Sequence, residues 1–247
     1  MEIIVNTDHQ VPCLPVIFIA RLPRTCHQAD KTPVDWGLCS VDAHIKGWEA
    51  ADQERAQSRA RQRDLKLQTL VRLASVMLNK SGYEGLSLAE IANVLGITKQ
   101  ALYYYTKSKE DLLFKCYTRA LDLAEQAYDH SDAQGGTGFD KIASFVRFHL
   151  NPDAEPYAIL DNLGALTEEH RQAISGRAKA LEQRMRGFIR EGVEDGSINP
   201  IDPKFAEFWI LGSLSWMPKW FKPDGEVSAT EVADSFIQLI GDGLRPR

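Results

Sequence analysis

Residues 86–113 read LSLAEIANVLGITKQALYYYTKSKEDLL, and this stretch decides the fold. Leu88, Ile91 and Leu95 recur at helical spacing and form one apolar stripe. Ser87 and Glu90 make an S-x-x-E capping box at the start of that helix, the hydroxyl taking the amide three residues on and the carboxylate reaching back. Gly96 follows the last apolar residue, where a left-handed C-cap costs glycine nothing. Ile97 then packs inward, and Thr98 is an N-cap for a second helix expected over residues 99–105. Leu102, with Ala101 beside it, faces the core, which leaves Thr98, Lys99, Gln100, Tyr103 and Tyr104 on the free side. Ser108 opens a third helix with Asp111 at its third position. The order of helix, tight turn, short helix and capped helix predicts a helix-turn-helix that lies on DNA.

The free residues suit a duplex. Lys99 matches phosphate or the O6 and N7 atoms of guanine, and Gln100 can bond adenine bidentately. Tyrosine hydroxyls and helix N-terminal amides suit phosphate oxygens. Lys109 sits at a helix N-terminus, where a cation opposes the dipole, so a phosphate ligand would offset that cost. The competing reading makes the three tyrosines packing groups and the lysines solvated charges. The linked caps, the turn glycine and the Ser108-Lys109-Glu110-Asp111 start favour DNA. The expected contacts on this side also include Ser87 at the head of the first helix.

Charge is unevenly distributed. The whole chain carries a net charge of −5, which by itself does not suggest a nucleic-acid binder. Residues 55–110 hold ten Lys/Arg against four Asp/Glu, or +6; residues 111–247 hold fifteen against twenty-two, or −7; the first 54 hold four against eight, or −4. The positive charge lies on the segment with the motif, as a DNA footprint requires.

Cys13, Cys26, Cys39 and Cys116 show neither C-x-x-C nor His at zinc spacing, so no metal is expected, and scattered cysteines point to a reducing cytoplasm. The apolar run over residues 15–20 is too short to span a bilayer and lacks a basic leader, so no membrane association is expected. The chain has no Gly-rich phosphate loop, H-E-x-x-H, G-x-S-x-G or repeated Glu-x-x-His, which argues against an enzyme and a cofactor. Glu168, Glu169 and His170 sit at a helix start, where capping and the dipole account for the carboxylates.

Three regions follow. Residues 1–52 are Pro-rich, lack helical periodicity and form an extension of unassigned role. Residues 53–108 form the helix-turn-helix domain, opened by a long helix to about residue 79 with Leu67, Leu70, Ala74 and Met77 inward and Arg55, Arg59, Arg61 and Arg63 in its early turns, as a solvated face or a basic arm on DNA. Residues 109–247 form a helical body, with helices expected over 109–128, 139–150, 156–163, 167–194, 203–216 and 228–244, broken at residues 134–138. Asp202 and Pro203 give an N-cap and first-turn start, and Ser228 with Glu231 a second capping box. Nothing alternates as a strand for long, so the fold class is all-α.

The sequence resembles the TetR family of bacterial one-component regulators. The matching residues are Gly82-Tyr83-Glu84-Gly85, Ile91-Ala92, Leu95-Gly96-Ile97-Thr98, Leu102-Tyr103-Tyr104 and Ser108-Lys109-Glu110-Asp111-Leu112, with helical segments extending the likeness over about residues 56–244. Thr106 stands where the family most often has Phe, which would loosen packing under the recognition helix. Lys107 stands where Pro is frequent, which would add a phosphate contact. The resemblance implies a homodimer through the last two helices, on a double-stranded palindromic operator, released by a small-molecule effector bound in the body. Gly212 and Ser213 would allow the close helix approach of such a dimer. Phe145, Phe148, His149, Tyr157, Trp209 and Trp216 are apolar with a few polar tips, as ligand sites tend to be; plain core packing is the alternative for each. Residues 216–225 resemble a loop in members that sense fatty-acyl or steroid-derived CoA thioesters, which implies a hydrophobic or CoA-linked effector, with Arg147, Arg177, Arg184 and Lys219 as candidates for its phosphates. The competing function is a structural DNA binder without ligand control, in nucleoid organisation or division control.

Overall fold

A computed structural model describes residues 59–222 and 224–246, and among them all regular structure is helical. The extension over residues 1–52 and Arg55 lie outside the described residues. In chain order the helices are α1 (Arg59–Gly85), α2 (Leu88–Val94), α3 (Lys99–Leu102), α4 (Lys109–Gln134), α5 (Gly138–His149), a 3-10 turn (Leu163–Ala165), α6 (Glu168–Glu194), α7 (Pro203–Trp220) and α8 (Ala229–Leu244). Helices α1 to α3 form the head. Helix α4 runs from it into the body, packing on α1, α5 and α6, while α7 packs on α6 and α8 on α5.

Side-chain caps start most of these helices. Thr98, Ser108 and Thr167 each accept from the amide three residues on, and Ser228 and Glu231 form both halves of their capping box. Thr137 and Asp140 form another at the start of α5. At Ser87 only the hydroxyl half forms, as an acceptor from the Glu90 amide at 3.4 Å. Gly96 takes φ +64°, the left-handed turn that joins α2 to α3. Gly138 is required for a different reason: a Cβ there would lie 2.1 Å from the Gly192 nitrogen, so α5 crosses α6 backbone to backbone.

One apolar core runs through head and body. Leu70, Ala74 and Met77 of α1 are buried with Ile91, Leu95 and Leu102 of the head and Leu112, Leu113 and Cys116 of α4. In the body, Phe145, Ile174, Met185, Ile189 and Ile210 continue it. Ion pairs align α6 along α4: Arg177 meets Asp122 and Glu125 at 2.7 and 3.0 Å, and Arg184 meets Asp129 and Asp132 at 2.8 and 2.7 Å.

Several expectations change, beyond the half-formed box at Ser87. Helix α4 runs on to Gln134, where the sequence predicts a helix ending near residue 128. Residues 156–163 do not form a helix. Their backbone groups bond outward instead: the Tyr157 carbonyl and Ile159 amide to the Asn79 side chain, and the Asn162 amide to the Tyr117 hydroxyl. Helix α3 is a single turn, after which Tyr104 and Tyr105 bond to carbonyls three residues back, a 3-10 tightening. Helix α7 continues past Trp216 through Pro218 to Trp220. Proline has no N–H for the carbonyl four residues earlier, that of Leu214, and the Tyr157 hydroxyl donates to that carbonyl at 3.4 Å.

Candidate nucleic-acid interface and effector region

In the head, Leu102 is fully buried under α3 while Thr98, Lys99, Gln100, Tyr103 and Tyr104 lie exposed on one edge. Tyr104 is 66 % exposed, too much for a packing residue. The Arg63 guanidinium of α1 stands 5.2 Å from its ring centroid, so the first turns of α1 and the recognition helix present adjoining cationic and phenolic surface. Arg61 and Lys107 are exposed as well, and Ser87 is half-buried at its cap.

Lys109 resolves its conflict with the α4 dipole locally. Its ammonium donates to the Glu84 carbonyl at 3.1 Å and lies 4.5 Å from the Tyr83 ring centroid. Thr106 does not loosen the head. It is 1 % exposed, and its hydroxyl lies 2.9 Å from the Ser108 carbonyl and 3.0 Å from Asp111 Oδ2, giving its proton to one at a time. The same carboxylate oxygen accepts from the Lys107 amide at 2.8 Å. Burial raises the Asp111 pKa, but the bonds from Lys115, the Lys107 amide and Thr106 outweigh it and hold the group below its ordinary value.

In the body, four of the six expected effector residues come together. Ring centroids of Phe145 and His149 are 4.4 Å apart, those of Phe148 and His149 6.3 Å, and those of His149 and Tyr157 6.0 Å at right angles. Tyr128 adds a fifth ring 4.4 Å from Phe145. Burial pushes the His149 imidazole down to about 4, against a weaker pull from its bond to the Phe145 carbonyl, so it is neutral at pH 7. Burial also pushes the Tyr157 hydroxyl up. Trp209 and Trp216 are elsewhere, on the outer face of α7 at 39 % and 56 % exposure. A groove of about 560 Å³ opens between the start of α5 and the end of α8, against Phe139, Ile237, Gly241 and Arg245, and none of the six residues lines it.

The cations expected at a CoA phosphate are engaged. Arg147 pairs with Asp234 at 3.3 Å, Lys219 donates to the Asn79 carbonyl at 2.7 Å, and Arg177 and Arg184 hold α4. His170 stacks on Phe114 with centroids 3.8 Å apart and lies 2.7 Å from Glu110, which also takes the Thr167 amide; it ties α6 to the start of α4.

Sequence reading missed Glu155. Its carboxylate is held by Arg72 of α1 at 2.9 Å and by Arg119 of α4 at 3.0 and 2.6 Å. Burial alone would raise its pKa, but the two guanidinium groups bring it from an ordinary 4.5 to about 2. A carboxylate with a depressed folded-state pKa stabilises fully above its unfolded value and loses that contribution as pH falls toward the folded one. The clamp is therefore complete above about pH 4.5 and dissolves toward pH 2. Glu155→Gln is expected to cost about 2–4 kcal/mol, the lower side of breaking a buried pair because both arginines reach solvent. Thermal melts at pH 7 and 3 check this: the gap between wild type and variant should narrow in acid, and equal melts at pH 7 would remove the clamp from the stability argument.

A basic, exposed recognition edge on a three-helix head, joined by one long helix to an all-α body, defines a helix-turn-helix DNA-binding regulator. Comparison with known proteins specifies the family. Residues 70–116 match the model for bacterial regulatory proteins of the tetR family, and residues 140–244 match that for the tetracyclin repressor-like C-terminal domain. A transcriptional regulator of the TetR/AcrR family from Thermobifida fusca is 30 % identical, with 73 % of this chain and 99 % of that one covered and a TM-score of 0.50. AibR in complex with isovaleryl coenzyme A and operator DNA is 27 % identical, covering 70 % and 97 %, with a TM-score of 0.60. The fatty acid metabolism regulator protein of Bacillus subtilis is 22 % identical over 74 % of this chain and 98 % of its own. The chain belongs to the TetR family and is a DNA-binding transcriptional regulator of the ligand-responsive repressor type. Among the described residues no helix is long and apolar enough to cross a membrane.

Proposed function

We propose that this protein is a homodimeric repressor that binds a palindromic operator and is released by a hydrophobic acyl effector carried on coenzyme A. The exposed edge of Thr98, Lys99, Gln100, Tyr103 and Tyr104 over the buried Leu102 is the observation that carries the reading. Ser87, Lys107 and Lys109 flank it as phosphate contacts, and Arg63 joins them from α1.

Dimerisation through α7 and α8 is supported by the aromatic surface left on them. Phe205, Trp209, Trp216 and Trp220 share one stripe, and Leu239 is 62 % exposed on α8. A palindrome needs two heads about one helical turn apart, which one protomer does not supply.

The effector reading rests on the ring cluster of Phe145, Phe148, His149 and Tyr157 and on likeness to a regulator solved with isovaleryl coenzyme A. A neutral His149 and a protonated Tyr157 suit an uncharged acyl carbonyl, not a carboxylate. Release requires that the effector favour one of two head arrangements, since equal affinity for both shifts nothing.

The test is DNA binding to the region upstream of the protein's own gene, titrated against salt, with and without isovaleryl coenzyme A and hexadecanoyl coenzyme A. Selective binding with a steep salt slope, weakened by about 5–150-fold by one thioester, is the expected result. Selective binding that neither thioester changes would sink the effector half, and a fragment bound no better than random DNA would sink the operator half.

A further inference from the structure

The segment between α5 and α6 connects the ring cluster to the head by a path that does not use the length of α4. Tyr157 sits at its centre. On the body side its ring meets His149, and its hydroxyl donates to the Leu214 carbonyl of α7, the acceptor freed by Pro218. On the head side its own carbonyl accepts from Asn79 Nδ2 at 2.7 Å, while Asn79 Oδ1 accepts from the Ile159 amide at 2.9 Å. The two bonds fix the Asn79 amide: turning it over would set donor against donor and acceptor against acceptor. Asn79 belongs to α1, the first helix of the DNA-binding head.

Two further ties repeat the connection. Lys219, in the last turn of α7, donates to the Asn79 carbonyl at 2.7 Å. Glu155, two residues before Tyr157, is held by Arg72, also on α1. Arg72 and Asn79 are seven residues apart, two helical turns and about 10 Å along one face. Residues 155–159 meet Arg72 at one end and Asn79 at the other, so the segment runs beside α1 and is pinned at both ends.

We infer that Asn79 is a positioning residue for the DNA-reading head, transmitting displacement of Tyr157 from the body to α1 through its two-point clasp on residues 157 and 159. This rests on the proposed effector site for its biological input, although the mechanical link is independent of any ligand. When the Tyr157 ring is displaced, its carbonyl moves with it and pulls Asn79. Helix α1 turns with that pull, carrying Arg63 and the packed recognition helix. The segment is also tied to α4, through Arg119 and Tyr117.

The experiment is a double-mutant cycle on the full-length protein, with Tyr157→Ala standing in for displacement of the ring and Asn79→Ala cutting the clasp. Operator affinity is read on a palindrome that the wild-type protein itself selects from random duplexes. Amide exchange over residues 72–85 of α1 is read in the same four proteins and needs no DNA. Tyr157→Ala is expected to change operator affinity by about tenfold with Asn79 present, within the ordinary range of coupling between sites, and by no more than about twofold in the Asn79→Ala background. Exchange over α1 should show the same non-additivity.

Additive effects in both readouts, or no effect of Tyr157→Ala with Asn79 present, would overturn the inference. A purely structural Asn79 would lower the melting temperature while leaving the two substitutions additive on operator affinity. If Tyr157→Ala fails to fold, Tyr157→Phe breaks only the bond to Leu214 and replaces it in the cycle. Isovaleryl coenzyme A separates the two hypotheses. Release of DNA by the thioester to the same extent in wild type and Asn79→Ala keeps the effector site and removes the clasp. A non-additive cycle with no thioester binding keeps the clasp and removes that effector.

Discussion

Replacing Lys99 and Tyr103 together by alanine is expected to lower operator affinity by about 10³-fold, from roughly 1 kcal/mol per lost contact over four contacts in the two half-sites. Both side chains are exposed at the edge of α3, and Leu102, which carries the packing of that helix, is untouched. The variant should therefore melt with wild type, because exposed substitutions away from caps and cores fall within about 0.5 kcal/mol. Salt dependence tells the roles apart. If Lys99 binds phosphate, losing it from both half-sites reduces the slope of log affinity against log salt by about 2. If it reads guanine, the slope stays and discrimination at one base pair per half-site falls. Unchanged affinity and selectivity in the double variant would remove α3 from the DNA-reading role.

The head was legible from sequence because its signals are local. A cap and its amide lie three residues apart, the turn glycine adjoins the helix it ends, and the buried stripe recurs within two turns. Ser108, Thr98 and Gly96 all behave as their chemistry dictates. The length of α3 was not legible, since a 3-10 turn and an α-turn share residue preferences. Thr106 was misread for a related reason. A small polar residue in place of a large apolar one suggests a packing defect, but the Asp111 carboxylate five residues on makes the hydroxyl a hydrogen-bonded pin.

The body was less legible because its decisive contacts are distant in sequence. Arg72 meets Glu155 across 83 residues, and Asn79 meets Tyr157 across 78. Nothing in composition or period marks Asn79 or Glu155. The helix expected over residues 156–163 does not form because their backbone groups bond to Asn79 and Tyr117, partners that no local pattern marks. Trp209 and Trp216 illustrate a further limit. A helical stripe of aromatic residues reads the same whether its partner is the chain's own core or a second molecule, and only burial separates the two.

That distinction sets the second large effect. Phe205→Glu with Trp216→Glu is expected to convert the proposed dimer of 27.7 kDa chains into monomers. The two residues lie on one stripe of α7 eleven positions apart, about 16 Å along the axis, with Gly212 between them. They are 67 % and 56 % exposed in the single chain, so neither substitution opens a cavity in the protomer. An isologous interface uses each patch twice, so two substitutions place four carboxylates in it. Aromatic anchors at interfaces are worth about 2–4 kcal/mol each, and a total near 8 kcal/mol would move a nanomolar dimer toward millimolar dissociation. Sedimentation velocity should show the mass halved, with helical content and head folding retained. Affinity for a palindrome should fall by about 10³-fold or more, because two linked heads gain an effective concentration that separate ones lose. Affinity for an isolated half-site should stay within about twofold of wild type, since the contacts of one head are unaltered. This separates the variant from the Lys99 and Tyr103 pair, which weakens both. A variant that still sediments as a dimer would place the interface on another face, and one that dimerises no longer yet holds the palindrome as before would show that one head suffices.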